Sequence, residues 1–306
     1  MDIDRYAAFL PPDRRSGVLP EPTWMDWRGR RIHIARATDA SAPVRMIVVH
    51  GGGGYSGALW PLAGLLAGEG VEVLSPDMPL YGDTVEPEPA RVRYADWIDL
   101  LCDIVVEERR RDARPIVLFG ASMGGMLAYE VAARTGEVAA VLATCLLDLS
   151  DPAALAAASR IKVDGRISGA ALRMGGAAFG NLRVPMRWVA DMSAMSGNPR
   201  LSRLCATDPK GGGVHVPLGF LSSWLGYRHT VPEQYRGAAV TLVHPAADAW
   251  TPPERSIGFL QRISAPTRLV LLDNCGHYPI EEPGLTQLGE AVRETVRAVA
   301  EQAGRR

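Results

Sequence analysis

A chain of 306 residues with 47% hydrophobic and 22% charged side chains has an ordinary globular composition and enough apolar material for one large core. Its 33 basic and 34 acidic residues leave a formal net charge of −1, so no long-range field draws a polyanion and nucleic acid is excluded as an expected partner. No run of eighteen apolar residues occurs, and residues 1–20 hold no apolar core of the signal-peptide kind; the expectation is a cytoplasmic protein without stable membrane insertion. Cys102, Cys145, Cys205 and Cys275 are scattered, without a C-x-x-C pair or clustered histidines, which argues for reduced, mostly buried thiols and against a disulfide framework or a zinc site.

In chain order, alternating segments 24–28 and 31–36 flank Gly29 and Arg30 and predict a β-hairpin at a sheet edge. A strand at 44–49, rich in β-branched residues, runs into His50 and four glycines; a helix is expected from about Ser56. Residues 71–74 form the next expected strand. The Pro-rich stretch 86–89 reads as a surface loop, and 94–110 carries Trp97, Leu101, Ile104 and Val105 at helical spacing. Strand 115–119, helix 123–134 and strand 138–142 continue an alternation that implies a parallel sheet wrapped by helices.

From about Asp151 to Tyr235 the rhythm breaks into helical pieces carrying Met174, Phe179, Met186, Trp188, Met192, Met195, Phe220 and Trp224, with 210–213 as a loop. This stretch, 151–235, reads as a helical cap inserted between core segments 21–150 and 236–303. Alternation resumes with strand 239–243, helix 253–263, strand 267–272 and a final helix 284–300.

Gly120-Ala121-Ser122-Met123-Gly124, extended by Gly125, has the G-x-S-x-G form between a strand and a helix, the setting in which that motif positions a nucleophile. A sharp turn strains the backbone at Ser122, and side chains at 120 and 124 would strike neighbouring main chain, hence the glycines. The hydroxyl stands beside a helix N-terminus, and the Met123 amide is a natural oxyanion donor. No Lys-Ser/Thr pair follows, so a phosphate-binding loop is disfavoured.

From about Thr23 to Ala300 the chain resembles the α/β-hydrolase superfamily, and 120–125 resembles the nucleophile elbow of esterases and monoacylglycerol-lipase or lysophospholipase-like enzymes. Serine at the elbow, rather than aspartate, separates it from haloalkane dehalogenases and epoxide hydrolases of that fold. The resemblance implies an α/β-hydrolase fold, a mostly parallel sheet flanked by helices, that needs no metal or organic cofactor.

A serine hydroxyl needs a base, and of His33, His50, His215, His229, His244 and His277 only His277 follows the last expected strand; its surroundings, 276–279 with Glu282, resemble the family's histidine loop. Asp248, directly after strand 239–243, resembles the acid that orients such a base, while Asp148 stays a rival because chain order allows both. Residues 50–54 resemble the HGGG-type oxyanion loop, with Gly52 the favoured second donor, Gly53 next, and His50 an anchor. Tyr55, Trp60 and Trp224 are candidate walls of an apolar substrate pocket, with Tyr81 and the methionines of 151–235 behind them; Asp77 and Asp83 read as structural.

The expected function is hydrolysis of a carboxylic ester, small or monoacylglycerol-like, through an acyl-enzyme. An amide, lactone or carbon–carbon bond hydrolase and a cofactor-free haloperoxidase-like enzyme would use the same triad, and a non-catalytic binding protein could share the fold. The partner is a small-molecule ester, and a homodimer is compatible with the sequence.

Overall fold

The computed structural model describes residues 3–68, 70–149, 151, 154 and 179–305, with only the backbone of Arg187. Eight strands form one sheet in the order β1-β2-β4-β3-β5-β6-β9-β10, where β1 is Glu21–Trp27, β2 Arg30–Ala37, β3 Arg45–Val49, β4 Glu72–Pro76, β5 Ile116–Gly120, β6 Val138–Ala143, β9 Ala239–Pro245 and β10 Thr267–Leu272. β1 and β2 are antiparallel, and β2 is antiparallel to β4; from β4 through β3, β5, β6, β9 and β10 every pairing is parallel. The β1–β2 hairpin turns through Arg28 and Gly29, both at positive φ, as a two-residue turn requires.

Every residue of β3, β4 and β5 is buried, which is why these strands read as near-continuous apolar runs instead of alternating ones. Helices α1 (Ile3–Ala7), α2 (Ser56–Ala67), α3 (Tyr94–Arg111) and α4 (Met123–Thr135) precede the segment between β6 and β9, and α8 (Pro253–Leu260) and α9 (Gly284–Gly304) follow it. Within that segment lie α5 (Met186–Val189), α6 (Pro199–Thr207) and α7 (Leu218–Gly226). It also contains an antiparallel ladder of β7 (Arg183–Pro185) with β8 (His215–Pro217), which the helical expectation for 151–235 lacks. Three residues are too few to show a period of two. Residues 155–178 of that expectation, with Met174, lie outside the described residues. Among the described residues no helix is long and apolar enough to cross a membrane.

Topology places the site. The chain leaves β3 toward β4 on one side and later enters β5 on the other, so the connections diverge between two hydrogen-bonded parallel strands. Ligand crevices of open α/β sheets form at such a switch point, outside the carboxyl ends of the strands. The glycines after β3 and the serine turn after β5 emerge there, and the segments after β9 and β10 carry Asp248 and His277 to the same edge.

At the opposite edge, a buried charge cluster ties sheet to helix. Arg36 of β2 donates to Glu72 at 3.1 Å and to Glu108 of α3 at 2.5 Å; Arg45 of β3 donates to Glu72 at 3.0 Å and to Asp112 at 2.9 Å. Removing one member of a buried pair strands the other's charge, which costs more than the pair contributes net. Glu108→Ala, which leaves both arginines short of a partner, is expected to lower unfolding free energy by about 3–5 kcal/mol, read by denaturant unfolding. Turnover per folded molecule should be unchanged, because the cluster lies at the far end of the strands.

Candidate active site

Ser122 sits at φ +55° and ψ −123°, a conformation L-residues rarely adopt, at the N-cap of α4. The surrounding glycines are obligatory. A Cβ at Gly120 would lie 2.2 Å from the Gly124 carbonyl oxygen, one at Gly124 2.3 Å from the Val49 carbonyl oxygen, and one at Gly125 2.0 Å from that of Cys145. The collisions expected at 120 and 124 are therefore present, and the structure adds a third. The Ser122 amide donates to Thr144 Oγ1 at 2.9 Å, which pins the turn to the end of β6. The Met123 amide, first in α4, has no intrahelical acceptor, as at any helix start.

The loop after β3 is pressed against this turn. A Cβ at Gly51 would meet Ser122 Cβ and the Ala121 carbonyl oxygen, each at 2.9 Å. Gly52 borders both cavities that open at Ser122, whereas Gly53 borders one. Gly53, at φ +82°, has its amide toward the Tyr81 hydroxyl, where it opposes the larger upward push of burial on that group without reaching full hydrogen-bond geometry. His50 behaves as an anchor: Nδ1 bonds the Gly51 carbonyl at 2.8 Å and Nε2 accepts the Met78 amide at 2.9 Å, so both nitrogens are occupied. Burial lowers its pKa, which keeps it neutral.

His277 and Asp248 are both 5% exposed, and their side chains meet with Nδ1 2.7 Å from Oδ2. Asp248 Oδ1 accepts the amides of Trp250 and Thr251 at 2.9 Å each, and Oδ2 also accepts the Thr251 hydroxyl at 2.7 Å. Burial pushes this carboxyl up, but the imidazole's charge and the hydrogen bonds from His277 and Thr251 outweigh it and hold the pKa at about 2. His277 Nε2 is buried with no hydrogen-bond partner among the described residues, and it shares a cavity with Ser122.

The other histidines are engaged elsewhere: His33 with Asp77 at 2.8 Å, His229 with the Tyr94 hydroxyl at 3.1 Å, and His244 with its neighbour's carbonyl at 3.0 Å, while His215 is exposed. Asp148, the rival acid, lies 3.9 Å from His229 Nδ1 and borders a separate cavity with Arg262.

Two wall residues expected from the sequence are not where that reading put them. Tyr55 is fully buried with its hydroxyl on Asp208 at 3.1 Å, and Trp60 is buried with its indole donating to the Val18 carbonyl at 2.9 Å; neither borders the cavities at Ser122. Tyr55 caps α2 and Trp60 belongs to it, a helix whose first eight residues are all buried, and an aromatic committed to core packing looks the same in sequence as one lining a pocket. Trp224 does border a cavity, with Met123, Met126 and Met186.

Three contributors carry no such expectation. Thr251 bonds both Asp248 and His277 Nδ1, the latter at 3.2 Å; the Trp250 ring packs 4.5 Å from the imidazole; and Tyr6 of α1 borders the cavity holding Ser122 and His277. Tyr6 and Leu10 are each 2% exposed, but Leu10 lies beyond α1, so no helical period in the first ten residues would have found the last.

Among the described residues, one group, His33, Asp77 and Asp83, gathers three metal-type ligand atoms within 4.8 Å. Its oxygens are already occupied: Asp77 accepts the Ser56 and Asp83 amides at 2.6 and 2.8 Å besides His33, and Asp83 pairs with Lys210 at 2.5 Å. This is a hydrogen-bond network that fastens loops, in keeping with the structural reading of both aspartates.

The model of the alpha/beta hydrolase family matches residues 46–286. The chain belongs to the alpha/beta hydrolase family. No curated protein matches its sequence. Among solved structures it is similar to a soluble variant of monoglyceride lipase from Saccharomyces cerevisiae, in complex with a substrate analog, at 13% identity and a TM-score of 0.76, over 92% of this chain and 96% of that one. It is also similar to the monoacylglycerol lipase of Paleococcus ferrophilus, at 21% identity and a TM-score of 0.70 over 88% and 98%, and to the alpha/beta hydrolase GrgF from Penicillium sp. sh18, at 14% and 0.73 over 93% and 100%. At these identities the likeness is one of fold.

The depressed Asp248 pKa has a pH consequence of defined sign. The stabilisation is fully present above the ordinary carboxylate pKa near 4 and is lost as pH falls through about 2. The pH-dependent part of the stability difference between wild type and Asp248→Asn should be on the order of 2 kcal/mol near pH 6. It should shrink toward zero near pH 2, as read from unfolding at a series of pH values.

Proposed function

We propose that this member of the family is a serine hydrolase that cleaves a carboxylic ester through an acyl-enzyme. The observation that carries the reading is the pair of His277 nitrogens: Nδ1 is held by Asp248 at 2.7 Å while Nε2, in the cavity that contains Ser122, has no partner among the described residues. An imidazole held this way accepts a proton from a serine hydroxyl as that hydroxyl attacks a carbonyl carbon.

In this reading Ser122 Oγ forms the new bond to carbon and its proton passes to His277 Nε2. Asp248 fixes the tautomer and stabilises the imidazolium. The carbonyl oxygen becomes an oxyanion held by the Met123 and Gly52 amides, each worth about 3 kcal/mol in such a role; Gly53 is the weaker donor because its amide lies toward Tyr81. Collapse breaks the ester C–O bond, and the departing oxygen takes the proton from Nε2. Water then attacks the acyl-enzyme by the same route, giving the acid and restoring Ser122.

Surroundings favour an apolar substrate. Met186 Cε would lie 2.9 Å from a Cβ at Gly52 and Met192 Cε 2.2 Å from one at Gly53, so the segment between β6 and β9 packs its methionines onto the oxyanion loop. Treating 151–235 as a cap on a core of 21–150 and 236–303 is part of the same proposal. The lipases among the structural neighbours support an ester as the scissile bond.

Fluorophosphonate labelling with peptide mapping, run beside nitrophenyl ester turnover, tests it. Modification at Ser122 is expected, with label and turnover both lost in Ser122→Ala by at least about 10⁴-fold and folding intact. Asp248→Asn should keep the geometry but lose about 10³–10⁴-fold in kcat. A folded wild-type protein that neither labels nor turns over an ester would refute the esterase reading.

A further inference from the structure

Among the described residues, two apolar arms meet at Ser122. One is bordered by His277, Tyr278, Met195, Leu62, Phe119 and Tyr6; the other by Met123, Met126, Leu149, Met186 and Trp224. Ser122, Gly52 and Trp250 border both, but His277 borders only the first and Met123 only the second. That asymmetry assigns the arms. The imidazolium must hand its proton to the oxygen that departs, so that oxygen and the group it carries lie on the His277 side. The acyl remnant, still bonded to Ser122 and with its oxygen at the Met123 amide, extends into the other arm.

Among the described residues, the two tyrosine hydroxyls that border the His277 arm already donate to protein acceptors. The Tyr6 hydroxyl donates to Asp208 Oδ2 at 2.9 Å and the Tyr278 hydroxyl to the Ala58 carbonyl at 2.5 Å, while Thr144 Oγ1 accepts the Ser122 amide. A tyrosine has one proton to give, so neither ring has one left for a ligand. Burial also pushes both hydroxyls far above their ordinary pKa, which keeps them neutral. Asp208 is buried and additionally accepts the Tyr55 hydroxyl at 3.1 Å and the Lys210 amide at 2.9 Å, so Tyr6 is held from behind. Its ring stacks on Tyr278 at 6.3 Å and 18°, next in sequence to the base. Leu59, Leu62, Phe119 and Met195 make up much of the remaining wall. A hydroxyl brought into such a wall loses water and finds few partners, a discrimination of about ten- to a hundredfold.

Resting on the ester-hydrolase reading above, we infer that the substrate is an ester apolar on both sides of its carbonyl, with an alkyl alcohol rather than a polyol, and that Tyr6 sets the size of the alcohol arm. Tyr6 comes from α1, outside residues 46–286 that the family model matches, while the other wall residues named here lie within them. A glycerol-releasing activity, which the names of two structural neighbours suggest, therefore does not carry over to this chain.

The test compares butyl butanoate with 1-monobutyrylglycerol on the wild-type protein, acyl group fixed. A kcat/KM at least about tenfold higher for the butyl ester is expected; parity or a preference for the glycerol ester overturns the inference. In Tyr6→Ala the ratio of cyclohexylmethyl to butyl butanoate should rise about fivefold or more, a shift of order RT ln 5 in relative transition-state binding. The ratio of butyl hexanoate to butyl butanoate should hold within about twofold, and Tyr6→Phe, which keeps the ring, should leave both ratios at their wild-type values. A Tyr6→Ala variant that moves the acyl ratio instead overturns the arm assignment. Should that variant not fold, Met186→Ala in the opposite arm must move the acyl ratio and spare the alcohol ratio, and the reverse result overturns the assignment. Labelling at Ser122 with a glycerol-ester preference removes this inference alone; absence of both labelling and ester turnover removes it together with the proposed function.

Discussion

The site depends on one close approach, that of the turn after β5 to the loop after β3. Parallel pairing sets Val49 opposite Gly120, and the Ala121 amide continues the ladder by donating to the Val49 carbonyl at 2.9 Å. Two irregular loops must then leave adjacent strands within van der Waals contact. Side chains cannot be accommodated there, as the distances of 2.2–2.9 Å from virtual Cβ atoms at Gly51, Gly120 and Gly124 state directly. The strain at Ser122, of about 1–3 kcal/mol for such a conformation, is sustained because the turn is tied on two sides: to β3 by backbone, and to β6 through Thr144.

On that scaffold, two histidines are treated in opposite ways. His50 has both nitrogens occupied and two aromatic rings against it, Tyr81 and Trp97 at 5.6 and 5.5 Å, so it can only hold the glycine loop in place. His277 has one nitrogen clamped and one open. The clamp is itself rigid, since Asp248 takes bonds from two amides, a hydroxyl and the imidazole, and its loop is short enough for Trp250 and Thr251 to supply three of them. In the proposed mechanism Thr251 is a positioning residue, because it bonds Asp248 and His277. A carboxylate so coordinated stays ionised far below neutral pH, and the imidazole beside it keeps a fixed tautomer.

Much of this was legible in the sequence, for identifiable reasons. The sheet strands are apolar runs or alternating segments bounded by turn residues, and each expected one is present within a few residues. Ser122, His277 and Asp248 stood out as candidates because each follows a strand of a parallel sheet, where topology gives sequence position a spatial meaning. Chain order allowed Asp148 beside Asp248, the residue favoured from the sequence, and the 2.7 Å contact with His277 supports that preference. Tyr55 and Trp60 misled because aromatic residues lie as readily in a core as in a pocket wall. The β7–β8 ladder was invisible because three-residue strands carry no pattern. Tyr6 was missed for a different reason: its role is created by a contact 202 residues away, with Asp208, and no local signal reports that.

These successes and failures divide along a physical line. Atoms proposed to do the chemistry come from the carboxyl ends of sheet strands, where backbone pairing fixes them and a few short motifs suffice to announce them. Most of the walls that surround the reacting carbon come from elsewhere, namely α1, the first half of α2, the stretch after β6, and the methionines and Trp224 of the segment before β9, joined by Phe119, Trp250 and Tyr278 from the strand ends. Those elements meet the site largely through side-chain packing, which tolerates substitution wherever volume is conserved. Chains at 13–21% identity can thus share the fold closely and differ in every wall residue. The substrate of such a chain has to be inferred from which wall groups have protons to give, and here the tyrosines nearest the base have none.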